Sequence, residues 1–239
     1  MKITGNTILI TGGATGIGFA LAEALVKAGN KVIICGRRQG KLTEAKNRVP
    51  ELEIKTCDIT DEKERAALLE WVKNNFGDLN ILINNAGVQR VMHLKEGIKA
   101  LQGGEDEIQT NLVALVCLCV YFVPFLLEKK DSAIINVSSG LAFKPLAVKP
   151  VYSATKAAVH SFTVSLRQQL KDTSVKVFEI IPPTVATELL KPVAPGINSP
   201  KAIAPAEVAA TVLPAMANDQ YEIPVGEAQD KVKGSRTDN

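Results

Sequence analysis

Tyr152 and Lys156 stand four positions apart in the run Val-Tyr-Ser-Ala-Thr-Lys-Ala-Ala. On a helix of about 3.6 residues per turn, that spacing puts the phenol and the ammonium on one face. A free tyrosine titrates near ~10, too high for ready proton exchange at neutral pH. A neighbouring cation is expected to lower it by favouring the phenolate. The same spacing also suits a half-buried ring beside a solvated lysine, so the pair gains meaning from its company. That company is Thr11-Gly12-Gly13-Ala14-Thr15-Gly16-Ile17-Gly18, a run in which backbone N–H groups and a helix dipole can hold a pyrophosphate. Together the two features point to hydride chemistry on a dinucleotide.

The surrounding chain must be able to position them. Its 239 residues, 46% of them apolar, suit one domain with a substantial core. The 28 basic and 25 acidic residues are spread along the length, so no basic stripe points to nucleic acid, and small-molecule partners are expected. Cys35, Cys57, Cys117 and Cys119 lie inside apolar runs without zinc-ligand spacing and read as reduced core residues, with no metal site expected. The apolar stretch at residues 7–10 is too short for a secretion signal and runs into the glycine loop, so a cytoplasmic location is expected. Residues 112–127 carry no charge, yet Pro124 interrupts them and Glu128-Lys129-Lys130 ends them. That pattern predicts a helix buried on every side rather than a membrane span, its burial completed by a second subunit in a homodimer or homotetramer.

Short β-branched runs alternate with helical stretches. Strands are expected at residues 7–11, 31–35, 52–57, 79–83, 133–137, 175–181 and 221–224. Helices are expected at 16–27, 40–49, 61–76, 104–127, 151–170 and 205–217. Alternation of this kind implies an α/β fold, a doubly wound Rossmann-type parallel sheet of about seven strands with helices on both faces. Ligands bind such sheets at the carboxyl ends of the strands, so the loops there should carry the function. The proline-rich stretch at residues 187–205 is expected to form a substrate lid.

Cofactor choice should be written at the end of the second strand, where an acid would take a ribose 2′-hydroxyl. The chain has Gly36, Arg37 and Arg38 there, so NADP(H) is favoured over NAD(H), with the guanidinium groups forking onto a phosphate. The alternative is that both arginines are solvated helix-start residues.

Four motifs agree in order and spacing: the Thr-Gly-x-x-x-Gly-x-Gly loop, Asn84-Asn85-Ala86-Gly87 after the fourth strand, Ser139 thirteen residues before Tyr152, and Tyr152-x-x-x-Lys156. On them the chain resembles the short-chain dehydrogenase/reductase family over nearly all its length. The resemblance implies a catalytic tetrad of Asn111, Ser139, Tyr152 and Lys156, with Tyr152 as proton donor or acceptor. It also implies a cofactor site built from Gly12, Thr15, Gly16, Ile17 and Gly18, with Asp58 and Ile59 at the adenine. Asn84, Ala86 and Gly87 fall beside the adenosine ribose, Lys156 at the nicotinamide ribose, and Val185 and Thr187 at the carboxamide. Ser139 would hydrogen-bond the substrate oxygen and Lys156 would stabilise the phenolate. Asn111 would anchor a water or, equally, cap a kink in the long helix.

The chain departs from the family at Pro182-Pro183, where relatives carry Pro-Gly, and at Thr15, a position often basic in NADP-preferring relatives. Asn-Asn-Ala-Gly-x-Gln-Arg together with Pro-Pro is similar to a DltE-like subgroup of oxidoreductases. Arg90 could meet an anionic group of the substrate or lie idle at the surface. The expected function is NADP(H)-dependent hydride transfer between the nicotinamide and a carbonyl or alcohol. The alternative is a catalytically silent NADP(H)-binding sensor or scaffold.

Overall fold

The computed structural model describes residues 1–102, 106–190 and 202–237. Strand β1 (Thr7–Thr11) is buried along its whole length, with Ile8 and Ile10 facing one apolar layer and Leu9 the other. That double burial is why the strand reads as a continuous apolar run instead of an alternating one. Six further strands follow: β2 (Lys31–Gly36), β3 (Glu53–Thr56), β4 (Ile81–Asn84), β5 (Ser132–Val137), β6 (Val175–Ile181) and β7 (Glu222–Pro224). They form one sheet in the order β3-β2-β1-β4-β5-β6-β7, and every neighbouring pair is parallel. The chain reverses its winding direction between β1 and β4, the position at which doubly wound sheets open a ligand crevice.

Helices α1 (Gly16–Lys27) and α2 (Gln39–Arg48) cover one face together with α6 (Pro205–Ala217). The other face is covered by α3 (Glu62–Asn75), α4 (Ala114–Leu127) and α5 (Pro150–Gln169). Asp61 caps α3, its carboxylate accepting from the Glu64 N–H at 3.0 Å. A π-helical turn at Gln109–Val113 leads into α4. The expected start of this long helix at Gly104, and residues 191–201 of the expected lid, lie outside the described residues.

Two features go beyond the sequence pattern. The polar C-terminal stretch forms a helix, α7 (Ala228–Thr237), that the apolar pattern did not reveal. Ala228 and Val232 are its buried apolar residues, and one pair at i, i+4 suffices to seat it against Ile181 and Phe143. Within the single chain, α4 leaves one side open, as a helix whose burial is to be completed by a second subunit would. Leu118, Phe122 and Leu126 are fully buried in the layer beneath the sheet, but Val120 is 68% exposed.

Candidate active site

The crevice is held together across its own floor. Thr11, at the end of β1, accepts hydrogen bonds at its Oγ1 from the backbone N–H groups of Asn85 (3.0 Å) and Ala86 (3.1 Å). In return, Asn85 Nδ2 donates to the carbonyls of Thr11 (3.0 Å) and Gly12 (3.1 Å). The glycine loop and the Asn-Asn-Ala-Gly turn are thereby fixed against each other on either side of the winding reversal. Two glycines permit this contact. Gly12 has φ 63°, and a Cβ there would lie 2.9 Å from Ala86 Cα, while a Cβ on Gly18 would lie 2.4 Å from Asn85 Nδ2.

A long cleft runs from this floor over the ends of β2 and β4. Of the residues expected to hold a dinucleotide, Gly12, Thr15, Gly16, Ile17, Arg37, Arg38, Asp58, Ile59, Ala86, Gly87, Tyr152, Lys156 and Thr187 line it. Gly18 lies behind the loop, and Val185 lines the adjoining cleft instead. Asn84 is the clear correction. It ends β4 one residue later than the expected boundary, is buried, and donates to Asn136 Oδ1 at 2.9 Å inside the sheet. Because side chains alternate along a strand, it is Asn85 that turns to the cleft.

Cations gather at the far end of this cleft. Arg38 pairs with Glu188 at 2.9 Å, and Lys41, which the sequence reading did not single out, pairs with the same carboxylate at 3.8 Å. Asp58 Oδ1 accepts from the backbone N–H (2.9 Å) and hydroxyl (2.7 Å) of Thr60, closing a tight turn at the cleft wall.

At the near end lie the hydroxyl and ammonium groups of the Ser–Tyr–Lys set. Tyr152 and Ser139 both line a second, mostly apolar cleft, and Tyr152 belongs to both clefts. Burial pushes the Tyr152 phenol up to about 12, opposed by a hydrogen bond from the Ser139 side chain. Lys156 is buried, with Nζ donating to the Val137 carbonyl at 2.8 Å and lying 5.8 Å from the Tyr152 ring centroid. Burial lowers its pKa to about 8, and the Glu179 carboxylate acts against that fall. Desolvation is thus the largest influence on the phenol, and the Ser139 side chain is what acts against it.

Glu179, on β6, is fully buried. The Ser138 hydroxyl donates to its Oε1, and His160 Nδ1 lies 2.8 Å from its Oε2. Asn111 sits in the π-helical turn, where its Oδ1 accepts from the Val88 N–H and its Nδ2 donates to the Val88 carbonyl, both at 2.8 Å. Nδ2 also donates to Thr155 Oγ1 at 3.1 Å, which ties the turn to α5.

A parallel sheet with a glycine loop at its winding reversal and a buried Ser–Tyr–Lys group beside it defines a dinucleotide-dependent oxidoreductase. Comparison with known proteins agrees. The short chain dehydrogenase family matches residues 6–198. A Bacillus subtilis (strain 168) protein named uncharacterized oxidoreductase DltE is 51% identical over 189 residues, 79% of this chain and 75% of its own. A short chain dehydrogenase from Burkholderia cenocepacia J2315, solved in complex with NADP, superposes with TM-score 0.82 at 29% identity, over 98% of this chain and 94% of the other. A short chain dehydrogenase/reductase from Burkholderia phymatum, in complex with NAD, gives TM-score 0.82 at 22% identity, over 93% and 89%. The chain belongs to the short-chain dehydrogenase/reductase family, oxidoreductases acting on CH–OH and C=O groups.

The lysine offers a test of site burial. Between about 8 and the ordinary lysine value near ~10.4, Lys156 binds fewer protons folded than unfolded, so its contribution to stability rises with pH. Below that window its destabilising effect is fully present. Tyr152, Cys57 and Cys119, held up at about 12, act oppositely once pH passes their unfolded values, so a difference measurement is needed. Urea denaturation of wild type and Lys156→Met from about pH 7.5 to about 9.5 should shift their stability difference toward wild type by on the order of 1–2 kcal/mol. A difference that does not change with pH would show that this ammonium is not desolvated.

Proposed function

We propose that this protein is an NADP(H)-dependent reductase or dehydrogenase of a carbonyl/alcohol pair, with Tyr152 as the general acid/base. The observation that carries the reading is the position of Tyr152 where the two clefts meet, with Ser139 lining the second of them beside it. A bound nicotinamide would supply or take the hydride, and its oxidised form would add positive charge that favours a phenolate. Ser139 orients the substrate oxygen and Tyr152, protonated at neutral pH, delivers the proton in reduction. Lys156 holds the tyrosine face of α5 against the end of β5 and stabilises the phenolate left behind.

Choice of NADP(H) is supported by Arg37, Arg38 and Lys41 along the cleft beyond β2. Solved relatives contain either nicotinamide dinucleotide, so the preference rests on these side chains. Glu188, paired with Arg38 and Lys41, would have to share them with a 2′-phosphate.

We further infer a homodimer or homotetramer formed through α4 and α5, where Val120, Leu127 and Val164 leave apolar surface open.

Three measurements bear on this reading. Tyr152→Phe should abolish NADPH oxidation, followed at 340 nm against a panel of ketones, aldehydes and diketones; undiminished turnover would remove Tyr152 from the chemistry. Replacing Arg37 and Arg38 together with serine should reduce the NADPH-over-NADH ratio of kcat/KM by about tenfold or more. An unchanged ratio would assign the preference elsewhere. Light scattering at micromolar concentration should show a dimer or tetramer, and a monomer would contradict the assembly.

A further inference from the structure

The second cleft carries a charge pattern that hydride transfer does not require. Its wall beside Ser139 and Tyr152 is largely apolar, with Leu141, Leu146, Val148 and Leu190 among its residues. The charged side chains among the described lining residues are two lysines, Lys149 and Lys231, with no carboxylate.

Lys149 is 6% exposed, and its Nζ donates to Gln89 Oε1 at 3.0 Å. Gln89 is held in turn, its Nε2 donating to the Leu189 carbonyl at 2.6 Å. An ammonium has three donors, and a neutral amide does not offset the cost of burying a charge. Glu107 acts on Lys149 through space, but it accepts from the Arg90 N–H at 2.9 Å, pairs with Arg90 Nε at 3.9 Å, and does not line the cleft. Lys231 arrives from α7, whose Ala228 and Val232 are packed near Ile181 and Phe143. Its side chain lies over Gly140, next to Ser139; a Cβ on that glycine would meet Lys231 Cδ at 3.0 Å and Nζ at 3.6 Å.

We propose that the substrate is an oxo acid or the corresponding hydroxy acid, its carboxylate received by Lys149 and Lys231 while its carbonyl or alcohol carbon lies at Ser139 and Tyr152. The apolar wall of Leu141, Leu146, Val148 and Leu190 accommodates the rest of the carbon chain. A carboxylate fits better than a phosphate because a monoanion costs less to desolvate against such a wall. This rests on the hydride-transfer reading above and adds the substrate class to it.

The test uses the full-length protein with NADPH and straight-chain oxo acids of four to eight carbons, each beside its methyl ester. Wild type should favour the acid in kcat/KM by about tenfold or more for the best chain length, with the effect mainly in KM. Lys149→Gln and Lys231→Gln should each bring the acid-to-ester ratio toward one. Lys231 is only partly buried, so its variant keeps the test available even where Lys149→Gln fails to fold. Equal use of acid and ester by wild type, or a ratio that neither substitution moves, overturns the proposal and leaves the oxidoreductase reading intact. Absence of any turnover would count against the hydride-transfer reading, and binding then decides the substrate class separately. Calorimetric titration of NADPH-loaded protein with pentanoate and with pentanamide should favour the carboxylate by about tenfold, a preference lost in Lys231→Gln. Equal binding of the two, or binding of neither, overturns the proposal.

Discussion

A positive charge inside the protein, Lys156, sets the terms for everything around it. Its ammonium is removed from water and compensated by the Val137 carbonyl at the end of β5 and, through space, by Glu179 on β6. Burying such a group is costly unless its partners are fixed. The requirement therefore ties α5 to the carboxyl edge of two central strands. Tyr152, one turn earlier on the same helix face, is placed by that tie between the two clefts.

Glu179 extends the constraint outward. A fully buried carboxylate needs its own partners, and it finds them in Ser138 and His160. Ser138 immediately precedes Ser139, so the backbone that presents the second serine is anchored through the first. Further along the same sheet edge, Asn84 reaches Asn136, and Asn136 Nδ2 reaches Thr163 Oγ1 on α5 at 3.0 Å. The helix that carries the tyrosine is thus linked to β4, β5 and β6 by polar side chains as well as apolar packing, and such links favour a single register.

Much of this was legible in the order of residues. The limits of β1, α1, β6 and α6 fall at their expected positions because glycine, proline or polar residues punctuate both ends. The Ser139, Tyr152 and glycine-loop positions stood out because spacing alone carries their chemistry. Other parts were hidden for physical reasons. Glu179 sits in Val-Phe-Glu-Ile-Ile, a central strand by composition, and its partners lie 19 and 41 positions away. Asn84 was assigned to the cleft when a one-residue difference at the end of β4 turns it inward. The helix α7 was missed because a single apolar pair gives no periodicity to detect. The tuning of Tyr152 depended on depth below the surface, a quantity that a four-residue spacing does not encode.

The two clefts draw on different stretches of the polypeptide. Residues 12–60 and 85–88 contribute most of the wall of the glycine-loop cleft, whereas residues 139–149, 182–190 and Lys231 contribute most of the other. Ile17, Tyr152, Pro182, Thr187 and Leu189 are shared by both. Divergence of the later stretches can therefore reshape one cleft while leaving the glycine-loop cleft as it is, and the shared five mark where that independence ends.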